Sequence, residues 1–248
     1  MQHARQSPLM ARRLRIANGS PVACSKFERI LIRFRNREEA ARLLAKDLGP
    51  YRRDHPLVLG VPRGAVPMAR IIADALSADV DVVLVRKLRA PGQPELAIGA
   101  IDETGAVLKG EYFDIASDEY VREEIRTQQG ILRQRREMYT RGRPSIEPAG
   151  RTVIIVDDGV ATGSSMLSAI RSVRARGPRQ IVVALGVAPR QTLARLADEA
   201  DEVECLRCPE WFRAVGEFFE DFSEVTDDMV MAALEPSPDT DDTVCASA

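Results

Sequence analysis

The sequence predicts an α/β fold in which a parallel sheet is covered by helices on both faces. Three observations predict it. Short apolar runs alternate with stretches of helical periodicity. The runs are apolar at successive positions, as in Val153-Ile-Ile-Val156 and Ile181–Val187, so both faces of each strand are buried. Loops containing Gly and Pro separate strands from helices.

Arg37–Leu48 reads as a helix because Ala40, Leu43, Leu44 and Leu48 share one face. Leu57–Val61 is a short apolar strand, followed by a Pro/Gly loop and a helix over Val66–Leu76. Val80–Val85 is a second strand, and Leu88–Glu95 a loop. Ala97–Ile101 and Ala106–Leu108 form a small antiparallel element around Glu103-Thr104-Gly105. Asp118–Tyr139 is a long charged helix. Its Arg122, Arg126, Arg133, Arg135 and Arg136 read as a solvated face, with a homodimer contact as the alternative. Thr152–Val156 is a β-branched strand and Ser164–Arg176 a helix. A strand at Ile181–Val187, a helix at Arg190–Ala197 and a strand at Val203–Leu206 complete the order. In such sheets ligands bind beyond the carboxyl ends of the strands, so the loops after Val61, Val85, Val156 and Val187 are the candidates.

The chain has 248 residues, enough for one medium domain with extensions. Its 35 Lys and Arg against 37 Asp and Glu leave a net charge of −2, so no nucleic-acid partner is expected. No apolar run approaches the roughly 18 residues of a membrane helix. No charged-then-apolar leader is present either, so a cytoplasmic location without membrane attachment is expected. Cysteines are Cys24, Cys205, Cys208 and Cys245. Cys205-Leu-Arg-Cys208 has half a zinc spacing without a second half, so Cys205 reads as a buried strand residue. Residues 1–27 hold no Asp or Glu and five basic residues. We read 1–28 as a disordered arm, which also resembles an Arg-rich transit peptide, and the acidic 235–248 as a disordered tail. One domain lies between them, at 29–234.

The chemistry concentrates after Val153–Val156. Asp157 and Asp158 end that strand, and Gly159-Val-Ala-Thr-Gly163 leads into a helix. A helix N-terminus presents unpaired N–H groups and a positive dipole end, which suit a phosphate dianion. Thr162, Ser164 and Ser165 add hydroxyl donors; Gly159, Ala161 and Gly163 are small enough for the backbone to close around the anion. Carboxylates beside a phosphate would repel it unless they serve another group. Two adjacent ones can accept hydrogen bonds from vicinal ribose hydroxyls, or act indirectly on a nearby Mg²⁺ or a developing cation. The segment therefore reads as a site for a phosphorylated sugar. The plain alternative is a strand–turn–helix with Thr162 as N-cap.

Four apolar residues, two acids and a Thr-Gly-Ser loop resemble the phosphoribosyl pyrophosphate motif of type I phosphoribosyltransferases. Gly60-Val-Pro-Arg-Gly-Ala-Val-Pro67, Val85-Arg-Lys-Leu88 and Glu95-Leu-Ala-Ile-Gly-Ala100 resemble a bacterial branch of that family. In that branch the first loop often reads Arg-Gly-Gly, whereas here the second Gly is Ala65. The resemblance implies a type I phosphoribosyltransferase-like fold with a flexible loop and a small hood. It also implies Mg²⁺-dependent transfer of ribose 5-phosphate from phosphoribosyl pyrophosphate to a nitrogen nucleophile such as a nucleobase. Arg63, Gly64 and Lys87 would hold the pyrophosphate, and an Arg suits that task through its forked donors. Arg86 would point away by strand alternation. Arg89 and Glu95 would close the flexible loop, and closure would exclude water. The hood is expected partly at 205–225, where Trp211, Phe212 and Phe218 could stack on a flat base and Val215-Gly216 offer backbone groups to its edge. Two other readings use the same motifs: a non-catalytic sensor of phosphoribosyl pyrophosphate, and a hydrolase passing the sugar to water. The presence of the loop and the lack of a helix-turn-helix pattern in residues 1–36 favour the enzyme.

Overall fold

A computed structural model describes residues 13–16 and 33–235. The frame is a six-stranded, wholly parallel sheet built from β1 (Arg13–Ile16), β2 (Leu57–Gly60), β3 (Asp79–Val82), β7 (Thr152–Gly159), β8 (Gln180–Val187) and β9 (Glu202–Arg207). Its order is β1-β9-β8-β7-β2-β3. Successive side chains of each strand point to opposite faces. Val58, Ile154, Val156, Val182 and Ala184 pack with α1 (Arg37–Asp47) and α2 (Val66–Leu76). Leu57, Leu59, Val153, Ile155, Ile181 and Val183 pack with α4 (Ser164–Ala175) and α5 (Arg190–Ala197). Two apolar faces explain why these strands lack polar alternation. The expected α/β architecture is therefore what forms.

A second, antiparallel sheet joins β4 (Val85–Ala90), β5 (Gln93–Asp102) and β6 (Val107–Lys109). This corrects two expectations. The second core strand stops at Val82 instead of running to Val85. The segment expected as a flexible loop at Leu88–Glu95 is mostly the β4–β5 hairpin, so Arg89 and Glu95 are strand residues. Gly92, with φ +71, makes the turn possible. Glu124 on α3 (Asp118–Thr140) anchors the arm, accepting from both the backbone N–H and Nε of Arg89 at 3.1 Å.

Three helix starts follow local capping rules. Asn36 accepts from the Glu39 N–H at the start of α1, Ser117 from Tyr120 at α3, and Thr226 from Met229 at α6 (Asp227–Leu234). Arg136 departs from the solvated face expected of α3. Only partly exposed, it donates to Asp81 at 2.7 Å, to Glu103 at 2.6 Å and to the Val82 carbonyl at 3.1 Å. Cys205 is a buried β9 residue, as expected, and burial pushes its thiol up to about 12.

Residues 13–16 correct the reading of 1–28 as a disordered arm. They form β1, paired in register from Arg13↔Glu202 to Ile16↔Cys205. The cause is the open edge of β9 together with Arg15, whose Nε lies 3.0 Å from Glu202 and 3.5 Å from Glu204. The rest of that arm, the first residues of the expected domain (29–32) and the tail after Glu235 lie outside the described residues. Among the described residues no helix is long and apolar enough to cross a membrane.

Candidate functional site

The site lies at the carboxyl edge of the parallel sheet, where β2, β7 and β8 end side by side. β7 runs further than expected and carries Asp157 and Asp158 within the strand. Beyond Gly159, the Val160 N–H bonds the Val187 carbonyl at 3.0 Å, tying the loop to β8. Thr192 Oγ1 donates to the Ala161 carbonyl at 2.6 Å, which holds the loop against α5. Gly163, with φ +75, turns the chain into α4, and a Cβ there would meet Thr192 at 2.8 Å. No side chain caps α4: the N-cap is Gly163, so the strand–turn–helix reading with Thr162 as cap fails. Thr162 Oγ1 and Ser164 Oγ lie 3.2 Å apart at this helix start, with Ala161, Thr162 and Ser165 exposed. An uncapped helix terminus ringed by hydroxyls is suited to a phosphate.

The acid pair is shielded from water. Asp158 is buried and Asp157 half-buried. Burial first, and the neighbouring Asp158 second, push the Asp157 carboxyl well above the ordinary carboxylate range. Burial raises Asp158 as well, opposed by the Arg37 guanidinium. Arg37 Nε donates to Asp158 Oδ2 at 2.7 Å. Asp157 Oδ1 accepts from the Asp158 N–H at 2.9 Å.

The 61–65 loop comes to the same place. Its Pro62–Arg63 peptide is cis. A Cβ on Gly64 would stand 2.5 Å from Asp158 Oδ2. Ala65, where the related branch often has Gly, has φ −87 and ψ −8, an ordinary backbone for Ala, so the exchange leaves the loop unperturbed. Arg63 reaches outward, paired with Glu224 and 4.0 Å from Asp227. Lys87 is an exposed residue of β4, on the antiparallel sheet and not at a core strand end. Its neighbour Arg86 donates to Gln128 on α3. Glu95 is exposed on β5.

The segment expected as the hood packs directly onto the acid loop. A Cβ on Gly159 would lie 2.7 Å from Val215 Cγ1 and 2.7 Å from Val187 Cγ1. Phe212 stacks on Phe218 with ring centroids 5.6 Å apart, and Phe218 is a core residue. Trp211 is 84 % exposed. The three aromatics expected to form one stacking platform thus divide among core, margin and solvent. The aromatic that meets Arg37, the partner of Asp158, is Phe222, which sequence reasoning missed. Its ring lies 5.0 Å from that of Phe219, and the Arg37 guanidinium lies 3.8 Å from its centroid. Arg37 was missed too. It is separated from Asp158 by 121 positions, and its only local sign is a charge in the first turn of a capped helix.

Comparison with known proteins gives a family and several relatives. The family model described as "Phosphoribosyl transferase domain" matches residues 30–223. Two Mycobacterium tuberculosis proteins, from strains H37Rv and CDC 1551, each named "Putative phosphoribosyl transferase", are 42 % identical over 208 residues. The match takes in 82 % of this chain and 46 % of each relative, so the chain spans about half the length of the curated relatives it matches. The crystal structure of TT1426 from Thermus thermophilus is 46 % identical, covering 82 % of this chain and 97 % of that one, with a TM-score of 0.74.

Proposed function

The chain belongs to the phosphoribosyl transferase family, and on that premise we propose that it transfers ribose 5-phosphate from phosphoribosyl pyrophosphate to a nitrogen nucleophile, a nucleobase being the leading class. The observation that carries the reading is the meeting of three segments. Gly64 of the 61–65 loop lies against Asp158 of the acid pair, and that pair leads straight into the uncapped start of α4. One end suits a phosphate, the middle suits hydroxyls, and the adjoining loop suits a second anion.

In this reading Thr162, Gly163, Ser164 and Ser165, with Gly159 and Ala161, hold the 5-phosphate. Asp157 and Asp158 accept from the ribose hydroxyls and sit below the anomeric carbon as positive charge develops there. Arg63 leaves Glu224 to meet the pyrophosphate, joined by Gly64 and by Lys87 from the hairpin arm. Catalysis comes from holding the reacting atoms in line rather than from a covalent intermediate. Val215 and Phe222 bound the space left for the acceptor. Among the described residues no cluster of three or more His, Cys, Asp or Glu side chains forms a metal cage. Two carboxylates beside an anion loop fit a Mg²⁺ that would take its oxygens from phosphate and water, with Asp157 and Asp158 acting on it indirectly. Such an ion would neutralise the departing pyrophosphate.

Pyrophosphate release tests the reading. The protein is incubated with phosphoribosyl pyrophosphate, Mg²⁺ and a panel of bases. Release that requires one base supports transfer. Release without any base identifies a hydrolase, and tight binding with no turnover on any acceptor identifies a sensor.

A further inference from the structure

Arg37 is marked by no motif, yet it touches several parts of the site. Its Nε donates to Asp158 Oδ2 at 2.7 Å, and its Nη1 donates to the Ser223 carbonyl at 2.7 Å. Its guanidinium lies over the Phe222 ring at 3.8 Å. Nε and Nη2 approach to 3.2 and 3.3 Å of the position a Cβ on Gly64 would take. The side chain is only 15 % exposed. Planar geometry lets a guanidinium donate in its plane while its face stacks on an aromatic ring, which an ammonium cannot do.

These contacts join four separate pieces: α1, the 61–65 loop, the acid pair and the 219–224 segment. We propose that Arg37 is a positioning residue of this site, fixing the Asp158 carboxylate and the Phe222-Ser223 edge of the hood in a single arrangement. The proposal rests on the reading of Asp157 and Asp158 as the ribose-hydroxyl acceptors. Occupancy of the ribose subsite and placement of the hood edge then depend on one side chain.

The surrounding charges support the assignment. Asp158 faces Asp157 on its own strand, Arg37 from α1 and the Gly159 N–H. Asp221, on the hood, also feels Arg37. Arg63 is directed away, to Glu224. Arg37 is thus the cation beside two desolvated acids. Its loss would leave them to share a proton, and a protonated carboxyl is a poorer acceptor for two hydroxyls.

The test compares wild type, Arg37→Gln and Arg37→Lys by calorimetry with two probes, inorganic phosphate and ribose 5-phosphate. Titrations are repeated at several pH values, because burial raises both carboxyls above their ordinary range. Arg37→Gln should keep the wild-type affinity for inorganic phosphate. It should weaken ribose 5-phosphate about tenfold or more near neutral pH, and move the midpoint of its pH dependence upward. Arg37→Lys should restore the midpoint but not the full affinity, since the fork and the stack remain absent. It also serves if the Gln variant does not fold. A wild-type preference for ribose 5-phosphate that survives in Arg37→Gln with the same midpoint overturns the role of Arg37 alone. A wild type that binds ribose 5-phosphate no better than inorganic phosphate overturns the ribose reading, and this proposal with it.

Discussion

Gly64 and Asp158 are in contact: a Cβ at position 64 would stand 2.5 Å from the carboxylate oxygen to which Arg37 donates. Gly64→Ala must therefore displace either the acid or the loop. We expect it to weaken phosphoribosyl pyrophosphate binding by about tenfold or more, measured by calorimetry. Gly49→Ala has no atom within 4 Å of the new methyl and is the control, with affinity unchanged. Equal affinities for the two variants would remove Gly64 from the site.

Asp157→Asn and Asp158→Asn should separate in stability while both lose ribose binding. Burial and Asp158 raise the Asp157 carboxyl above its ordinary value. Its contribution to stability is therefore fully present below the unfolded value of about 3.9 and is lost as pH rises through the folded one. Asn has no charge to desolvate and its Oδ1 can still accept from the Asp158 N–H. At about pH 7.5 Asp157→Asn should melt higher, by about 2–4 °C for each kcal/mol gained. Asp158→Asn strips Arg37 of its carboxylate and should melt lower. Differential scanning calorimetry distinguishes the two, and a lower melting temperature for Asp157→Asn would contradict the expectation.

Arg136 should be costly to remove. It satisfies Asp81, Glu103 and the Val82 carbonyl at once, joining α3 to β3 and to the turn after β5. Desolvation already raises Glu103 with Arg136 in place. Arg136→Met leaves the buried Asp81 and the half-buried Glu103 without their shared cation, at a cost of about 3–5 kcal/mol. Urea unfolding measures it; a loss below about 1 kcal/mol would mean the pair relaxes into solvent.

Glu204 predicts a pH dependence of stability. Burial is the main cause that raises its carboxyl to about 7, with Arg15 opposing and Glu202 adding to the rise. Since the folded value lies above the ordinary 4.5, the associated stability is complete below about pH 4.5 and is lost as pH rises through about 7. Wild type should lose about 1–2 kcal/mol across that window after solvent screening is allowed for. Glu204→Gln should flatten the profile, as read by urea unfolding at both ends.

Where the sequence could be read, the physics was local. β7 and β8 announce themselves because both faces of Val153–Val156 and Ile181–Val187 are buried. The proposed phosphate loop is legible because its glycines, hydroxyls and helix start are contiguous. β4 was hidden because Arg86 and Arg89 find their partners, Gln128 and Glu124, on α3, and no pattern within Val85–Ala90 signals such support. β1 was hidden because the edge of β9, not its own apolar spacing, recruits it. Arg37 and Phe222 meet only when the ends of the domain close on each other, so no local window contains their relation to Asp158. Phe218 shows the converse difficulty: its spacing suits a stacking surface and a core equally well, and packing against Phe212 and its burial make it core.

Trp211 is the chain's sole tryptophan and stands almost fully in solvent, on the segment that overhangs the acid loop. Its indole is thus an intrinsic optical probe insensitive to the interior. Denaturation would hardly alter its emission colour, because the ring is already hydrated in the native state. Any compound that settles beneath the overhang and draws the ring out of water would shift that emission to the blue. A simple fluorimeter could thus screen candidate acceptors without a coupled assay or a label.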